Sequence, residues 1–358
     1  MGIYSTGNAD GEEVELIMKL VNRLIIVVLF SVLISLGGYF WVSRPKIIDP
    51  KGIGGGGGDL FLQKYDFDSL RKRMPVASEI QILGPIKEVE DRRANLDIKE
   101  KYTFTTSEIS FESDGRKISG MMNYMPERSS LSPVIIMVRG YAEKAGYYPG
   151  SGSWRMADEL AKQGYVTISL DFLGYANSDG ESTDMLEARF HKAVEVLDLL
   201  ESVKRIPWVD KNRIGFWAHS NGGQIVMSVL EVTGERYPTV MWAPMTQPFP
   251  ESVLSTIDEG SPVKDAIDEF QRHYDARRYA FDNYYQWINS PVIIMQGTAD
   301  EWVEVSWQQG VVSKLKNLGK EAELVIYPGA DHNLKNTRDE TWEKAVGKSI
   351  NFYQMKFN

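Results

Sequence analysis

Polar and apolar positions alternate with a period of two near the start of the regular part of the chain. Between residues 107 and 125, "SEISFES" and "KISGMMNYM" flank the turn "SDGR". A period of two is typical of β-strands, and Asp-Gly is a preferred pair in tight hairpin turns. This stretch therefore predicts a β-hairpin with Asp114-Gly115 at its tip.

A series of continuous apolar runs follows, and segments with helical periodicity separate them. Unbroken runs rich in Val and Ile are typical of strands buried on both faces of a parallel sheet, with the helices covering those faces. The predicted strands are 133–139, 165–171, 213–219, 239–244, 291–297 and 321–327, and the predicted helices are 153–163, 183–204, 221–232, 306–317 and 338–355. A hairpin followed by this series predicts the α/β-hydrolase fold, with a mostly parallel central sheet and helices on both faces.

One long interruption breaks the series. Residues 245–290 are rich in aromatic and charged side chains, as in "DEFQRHYDARRYAFDNYYQW". Loops of this length are uncommon unless they carry function. We interpret the segment as a small helical cap over the carboxyl-terminal edge of the sheet. A surface excursion without a role is the alternative.

The N-terminal part has a different pattern. Leu24 to Val42 is a run of 19 residues without a charge. A helix of that length spans roughly 28 Å, about the thickness of a bilayer core. Aromatic residues close the run and basic residues flank it, as at membrane interfaces. We expect a single-pass transmembrane anchor at 24–43 that contacts the lipid bilayer through residues 24–42, with the tail 1–23 inside the cell and the catalytic domain extracytoplasmic. A core helix or a cleaved signal peptide is the alternative.

Residues 44–104 separate this anchor from the hydrolase domain, which we predict at 105–358. Five consecutive glycines, Gly54 to Gly58, indicate a flexible tether, because ordering so many glycines costs much backbone entropy. The following lead-in segment, residues 60–104, is polar and mixed, with one short helix predicted near Phe67 to Arg73. Its sequence predicts no function.

Composition narrows the possible functions. The chain has 358 residues and a formal net charge of −9. No basic cluster is large enough to follow a phosphate backbone, so we expect no nucleic-acid partner. The sequence contains no cysteine, which excludes disulfides, thiolate metal sites and a cysteine nucleophile.

Serine chemistry is indicated by "RIGFWAHSNGGQ", residues 213–224, which predicts a strand, a sharp turn with Ser220 at its apex, and a helix. The usual pattern of such a turn is G-x-S-x-G, and here Ala218 stands at its first position. A serine hydroxyl becomes a good nucleophile when a histidine removes its proton and an acid orients that histidine. In α/β-hydrolases these groups follow the order Ser, acid, His along the chain.

The partners of Ser220 follow by elimination. Only His332 comes after a late predicted strand; of the other three histidines, one precedes the turn, one lies in the cap, and His219 adjoins Ser220 and is expected to point away from it. Asp300 comes just after the predicted strand 291–297, whereas Asp331 is too close to His332 to orient it. We therefore predict Ser220 as the nucleophile, His332 as the general base and acid, and Asp300 as the orienting acid. This chemistry requires no cofactor and no metal, and we expect neither.

An oxyanion hole needs two donors aimed at the developing negative charge. We predict the backbone N–H of Asn221 as one donor, at the start of a helix whose dipole contributes. The loop "VRGYAEKAG" should supply the second, and Gly140 there permits a close backbone approach. The N–H of Tyr141 is our candidate, with a tyrosine hydroxyl of this loop as the alternative.

With these residues identified, the chain resembles the catalytic domain of the prolyl oligopeptidase family of serine peptidases over residues 105–356. The resemblance rests on "FESDGRKISGMMNYMP", "SWRMADELAKQGYVTISLDFLGYANSDG", "AHSNGG" and, most specifically, "SPVIIMQGTADEWVEVSWQQGVVSKLKNLGKEAELVIYPGADH". It implies peptidase activity through the same Ser220, Asp300 and His332. The chain departs from the family at Arg139-Gly140-Tyr141, where His-Gly-Gly is common. We also expect no β-propeller before the domain, since residues 44–104 are too few for one.

The leading hypothesis is a membrane-anchored serine peptidase that cleaves short peptides through an acyl-enzyme. A carboxylesterase or deacetylase is the alternative, because the same fold and triad serve both reactions. A binding protein without activity is the third hypothesis. It predicts the loss of a triad residue, and all three are present.

Overall fold

A nine-stranded sheet forms the centre of the protein. The computed structural model describes residues 60–95, 102–127, 130–257, 261–336 and 340–357. The strands are β1 Gln81–Gly84, β2 Thr105–Ser113, β3 Arg116–Tyr124, β4 Ser132–Val138, β5 Val166–Leu170, β6 Val209–His219, β7 Thr239–Trp242, β8 Val292–Gly297 and β9 Ala322–Tyr327. Across the sheet they follow the order β1-β2-β3-β5-β4-β6-β7-β8-β9.

Parallel pairing brings the ends of the central strands level. Strands β4 to β9 pair in parallel, whereas β1, β2 and β3 are antiparallel. Ala218 of β6 lies beside Val138 of β4, and Trp242 of β7 lies beside His219. The predicted hairpin is confirmed, with Asp114 and Gly115 at φ 48° and 71° between β2 and β3. Loops that leave the carboxyl ends of these strands therefore meet at one edge.

Helices cover both faces of the sheet. They are α1 Phe67–Lys72, α2 Lys87–Ala94, α3 Trp154–Ala161, α4 Met185–Val203, α5 Gly222–Thr233, α6 Glu251–Leu254, α7 Pro262–His273, α8 Val305–Asn317 and α9 Thr341–Phe357. Helices α4, α5 and α8 share one apolar core with Val134 and Ile136 of β4, and α3 and α9 share another with the intervening Ile135 and Met137. The predicted strands and helices of this domain are confirmed to within a few residues at each end.

Residues 245–290 contain α6, α7 and three short 3₁₀ turns between 276 and 287. Phe249, Ile267 and Phe270 of this segment pack in a third apolar cluster. The same cluster contains Leu62 and Tyr65, from the start of the lead-in segment. The cluster also includes residues of α4, so both segments pack on the hydrolase body.

The lead-in segment contains more structure than its sequence predicts. Helix α1 matches the predicted helix, and β1 and α2 are additional. Strand β1 pairs with β2 at the edge of the sheet. Its four residues are mostly exposed, so its sequence lacks the alternation of apolar and polar residues from which a strand is predicted. Helix α2 buries only Val89. The buried Asp198 of α4 accepts a hydrogen bond of 2.6 Å from Arg73, which fixes the segment after α1.

The predicted anchor at 24–43, the tail 1–23 and the glycine run lie outside the described residues. In the part of the chain that the structure describes, no helix combines the length and the apolar character needed to cross a bilayer.

Candidate active site

Ser220 occupies a strained turn between β6 and α5. Its φ is 52°, in the left-handed region that few residues other than glycine adopt. Three backbone hydrogen bonds hold it there. Its N–H donates to the carbonyl of Trp242 at 3.1 Å, and its own carbonyl accepts from Gly223 at 2.9 Å and Met245 at 2.8 Å. The turn therefore fixes the serine at the carboxyl-terminal edge of the sheet.

Small residues around Ser220 are required by close backbone packing. A Cβ on Gly222 would lie 2.1 Å from the carbonyl oxygen of Val138, and one on Gly223 would lie 2.4 Å from the Cβ of Pro244. Ala218, at the first position of the turn pattern, is fully buried and accommodates its methyl group. Alanine at that position is thus compatible with the turn.

His332 and Asp300 meet at the same edge. His332 Nδ1–H donates to Asp300 Oδ2 at 2.8 Å. Asp300 follows β8 directly, and Gly297 at the end of β8 lets the histidine loop approach, since a Cβ there would lie 2.2 Å from the carbonyl oxygen of Ala330. Asp331 instead accepts backbone N–H groups of its own loop, including that of Lys335 at 2.8 Å. The structure brings together the histidine and the acid selected from the sequence.

The surroundings of the Asp300 carboxylate stabilise its ionised form. Its side chain is fully buried, and it accepts bonds from the N–H groups of Trp302 at 2.8 Å and Val303 at 3.0 Å and from the Gln296 amide at 2.8 Å. Burial raises the pKa of Asp300, but the hydrogen bonds from His332, Trp302 and Gln296 outweigh it and lower that pKa below its usual value. An ionised Asp300 fixes the His332 ring with Nδ1 protonated, which leaves Nε2 free to accept a proton.

Ser220 makes no side-chain hydrogen bond to any described residue, so the structure does not join it to His332 directly. Its neighbour His219 does reach the histidine loop. The two imidazole rings lie 4.8 Å apart, and His219 Nε2–H donates to the backbone carbonyl of His332 at 3.0 Å. Catalytic hydrogen bonds are often long or absent without substrate.

The contact of His219 with the histidine loop is a feature of the site that the sequence prediction missed. Burial, reinforced by the charge of His332, lowers the pKa of His219 to about 4. His219 therefore stays neutral near pH 7 and can donate one proton to the His332 carbonyl without adding a competing positive charge. Its position directly before the nucleophile was visible in the sequence, but its contact with a residue 113 positions away was not.

The predicted oxyanion donors belong to the turn of Ser220 and to the loop that packs on it. Gly140 packs directly on the serine, since a Cβ there would lie 2.7 Å from the Ser220 Cβ. The backbone N–H groups of Tyr141 and Asn221 make no hydrogen bond within the described ranges, so both are available to a ligand. The Tyr141 side chain is 78% exposed.

Arg139 fixes the loop that contains Gly140, and the sequence prediction did not assign it this role. Its buried guanidinium donates to the Gly140 carbonyl at 2.8 Å, the Asp171 carbonyl at 2.6 Å and the Tyr147 hydroxyl at 2.7 Å. It also lies over the Tyr175 ring at 4.1 Å. The family commonly has His-Gly-Gly where this chain has Arg139-Gly140-Tyr141. Here the side-chain hydrogen bonds of Arg139 hold the loop in place.

Fold and site together define a serine hydrolase of the α/β-hydrolase superfamily. The sequence profile of the prolyl oligopeptidase family (Peptidase_S9) matches residues 153–358. The chain belongs to the prolyl oligopeptidase family.

Individual relatives are distant. The uncharacterized peptidase YuxL of Bacillus subtilis is 22% identical over 290 residues, which cover 76% of this chain and 41% of YuxL. The chain spans less than half the length of the curated relatives that it matches. Dipeptidyl peptidase 4 of Porphyromonas gingivalis has a TM-score of 0.55 at 16% identity, over 71% of this chain and 36% of that one. Acetyl xylan esterase 1 of a Thermoanaerobacterium species has a TM-score of 0.56 at 14% identity, over 86% of this chain and 99% of the esterase. At such identities the structural likeness shows the fold alone.

Proposed function

We propose that the protein is a prolyl oligopeptidase-type serine peptidase that cleaves peptides through an acyl-enzyme, with Ser220, Asp300 and His332 as its catalytic triad. The observation that carries this proposal is the 2.8 Å hydrogen bond between His332 and the buried Asp300 at the edge where Ser220 lies. The family membership of the chain supports the reaction class.

Each step of the reaction has a residue to perform it. His332 Nε2 takes the proton of Ser220 Oγ as the oxygen attacks the peptide carbonyl carbon. The N–H groups of Asn221 and Tyr141 stabilise the oxyanion that forms. His332 then gives the proton to the leaving amine, and the amine departs from the acyl-enzyme. A water molecule, deprotonated by His332, then attacks the acyl carbon. His332 returns that proton to Ser220 Oγ as the bond between Oγ and the acyl carbon breaks, which releases the acid and restores the enzyme.

The membrane part of the proposal rests on the sequence. The uncharged run from Leu24 to Val42 supports a single-pass anchor, and the glycines after it support a tether between anchor and enzyme. In this arrangement the catalytic domain works on extracytoplasmic substrates close to the bilayer. Extraction of the full chain from membranes by carbonate, without detergent, would refute the anchor.

The triad is tested with a Ser220→Ala variant of the full chain. We expect kcat to fall by about 10⁴- to 10⁶-fold because the nucleophile is lost while the turn is kept. A fluorophosphonate probe should label the wild type at Ser220 and leave the variant unlabelled. Retained turnover in a folded variant would show that another group is the nucleophile.

The peptidase assignment is tested with a panel of peptide amides, aminoacyl anilides and short-chain esters. Cleavage of amides and anilides is the expected result. A labelled enzyme that hydrolyses only esters would replace the peptidase with a carboxylesterase of the same fold, because the triad serves both reactions.

A further inference from the structure

A cavity next to the nucleophile turn contains an arginine without a charged partner. Asn221, which follows Ser220, lines this cavity together with Arg189 and Gln224. Aromatic side chains form much of the remaining wall: Tyr65, Phe190, Phe249, Tyr279 and Phe281. Three of these, Phe249, Tyr279 and Phe281, come from the segment 245–290, so that segment helps to shape the space beside Ser220.

Arg189 makes only neutral contacts. Its Nη2 donates to Gln224 Oε1 at 2.7 Å and to Ser252 Oγ at 3.0 Å. Among the described residues, none accepts a hydrogen bond from its Nε or Nη1 group, and no carboxylate forms an ion pair with it. Two other enclosed guanidinium groups pair with carboxylates, Arg73 with Asp198 at 2.6 Å and Arg93 with Asp158. Arg139 has no such pair among the described residues, but all three of its side-chain nitrogens donate hydrogen bonds, which sets it apart from Arg189.

A charge in such a position is costly unless a ligand compensates it. Burial lowers the pKa of Arg189 to about 10, so the guanidinium remains positive at neutral pH. Buried charges are normally paired, and a charged group perturbed by burial in a cleft is a candidate for a functional site. Free N–H groups on a planar guanidinium are well suited to a carboxylate, and aromatic walls strengthen the attraction by excluding water.

The position of Arg189 indicates which part of a substrate it would meet. Arg189 bonds to Gln224, and Gln224 Nε2 in turn donates to Asn221 Oδ1 at 3.3 Å. The N–H of Asn221 is the proposed donor to the carbonyl oxygen under attack. Asn221 therefore borders both the expected position of the substrate carbonyl and this cavity, which can take a side chain on the acyl part of the substrate.

We propose that Arg189 determines specificity by binding a carboxylate on the acyl part of the substrate. In a peptide this is an acidic residue whose own carbonyl is attacked, and in an ester it is a dicarboxylic acid linked through one carboxyl. This inference rests on the proposed function of Ser220, and it adds the substrate class that the reaction class leaves open.

The test compares two matched substrates, peptide p-nitroanilides with Glu or Gln at the acyl position. For the wild type we expect kcat/KM to favour Glu by about 10- to 100-fold, since one charge-assisted hydrogen bond in a cavity discriminates at this level. Arg189→Gln should bring the ratio close to one, mainly through a higher KM for the Glu substrate, and Arg189→Lys should retain part of the preference. Lys192→Gln is the matched control, because it removes a positive charge from the same helix at a residue that does not line the cavity. It should keep the wild-type ratio.

Two outcomes would overturn the inference while leaving the proposed function intact. The first is a wild type that labels with the fluorophosphonate yet cleaves both substrates equally well. The second is an Arg189→Gln variant that loses activity equally on both, which indicates a structural role. If that variant does not fold, the wild-type ratio and that of Arg189→Lys still decide. Failure of the wild type to label at Ser220 would instead refute the proposed function.

Discussion

Two buried carboxylates flank the nucleophile turn, and they have opposite electrostatics. Asp300 follows β8 and Asp171 follows β5, and neither side chain is accessible to solvent. The pKa of Asp300 lies below its usual value, whereas burial raises the pKa of Asp171 to about 6 in spite of its hydrogen bonds. A position at the edge of the sheet is therefore not enough to identify the acid of the proposed triad.

The difference comes from the partners of each carboxylate. Asp300 accepts from an imidazole that can become a cation, as well as from two backbone N–H groups. Asp171 accepts from neutral donors, namely the Ser119 hydroxyl at 2.6 Å, the Tyr147 hydroxyl at 3.0 Å and the Gly150 N–H at 2.9 Å. Although Arg139 is close, its hydrogen bond goes to the Asp171 backbone carbonyl and not to the carboxylate. Asp300 can support a charge that develops on a neighbour, and Asp171 acts as an anchor for a loop.

Replacement of Asp300 by asparagine should have the largest effect in this comparison. An amide cannot stabilise the imidazolium and can invert the tautomer of His332, so we expect kcat to fall by about 10³- to 10⁴-fold. Turnover of a peptide anilide is the measurement, with fluorophosphonate labelling rate as a second readout. Asp171→Asn should lose far less activity. The opposite ranking in folded variants would assign the triad acid to Asp171.

Arg139→Met should have an intermediate effect on catalysis. Methionine keeps much of the packing of the side-chain stem but removes all three hydrogen bonds of the guanidinium. The loop with Gly140 and Tyr141 should then lose its fixed position, and we expect kcat to fall by about 10- to 100-fold, as for a weakened oxyanion donor. Steady-state kinetics on an anilide substrate give the number. A variant with unchanged kcat would place the second oxyanion donor outside this loop.

The pair of Asp300 and His332 could be predicted from the sequence, because the prediction depends on where each residue lies relative to a strand. Asp300 and His332 each lie in the loop that follows a predicted strand, and parallel strands bring such loops to one edge. The order of serine, acid and histidine along the chain then left His332 as the candidate for the general base. The roles of Arg139 and His219 depend on contacts with distant residues such as Asp171 and His332, which no local pattern encodes.

The lead-in segment also depends on contacts with distant residues, and these limit the prediction of the fold in the same way. Its helix α1 is short but begins at a recognisable cap, since Asp66 accepts from the Ser69 N–H at 2.8 Å. Strand β1 and helix α2 have little apolar periodicity, and partners elsewhere stabilise them. Arg93 of α2, for example, pairs with Asp158 of α3. Elements held by such tertiary contacts lack the hydrophobic pattern from which the other strands and helices were predicted.

Asp171→Asn should have the smallest effect on catalysis and a clear effect on the pH dependence of stability. The folded-state pKa of about 6 lies above 3.8, the ordinary pKa of an aspartate in the unfolded chain. The stability that the protonated group contributes to the wild type is therefore complete below about pH 4 and is lost as the pH rises through 6. The loss amounts to about 3 kcal/mol, since one pKa unit corresponds to about 1.4 kcal/mol.

An asparagine can keep its oxygen toward Tyr147 and Gly150 and donate to Ser119 Oγ, without a charge to bury. The variant should therefore gain stability relative to the wild type between pH 4 and pH 7, with kcat at neutral pH changed by a few-fold at most. Urea unfolding of both proteins across this range measures the difference. A difference that stays constant with pH would mean that Asp171 ionises in the folded protein as easily as in the unfolded chain.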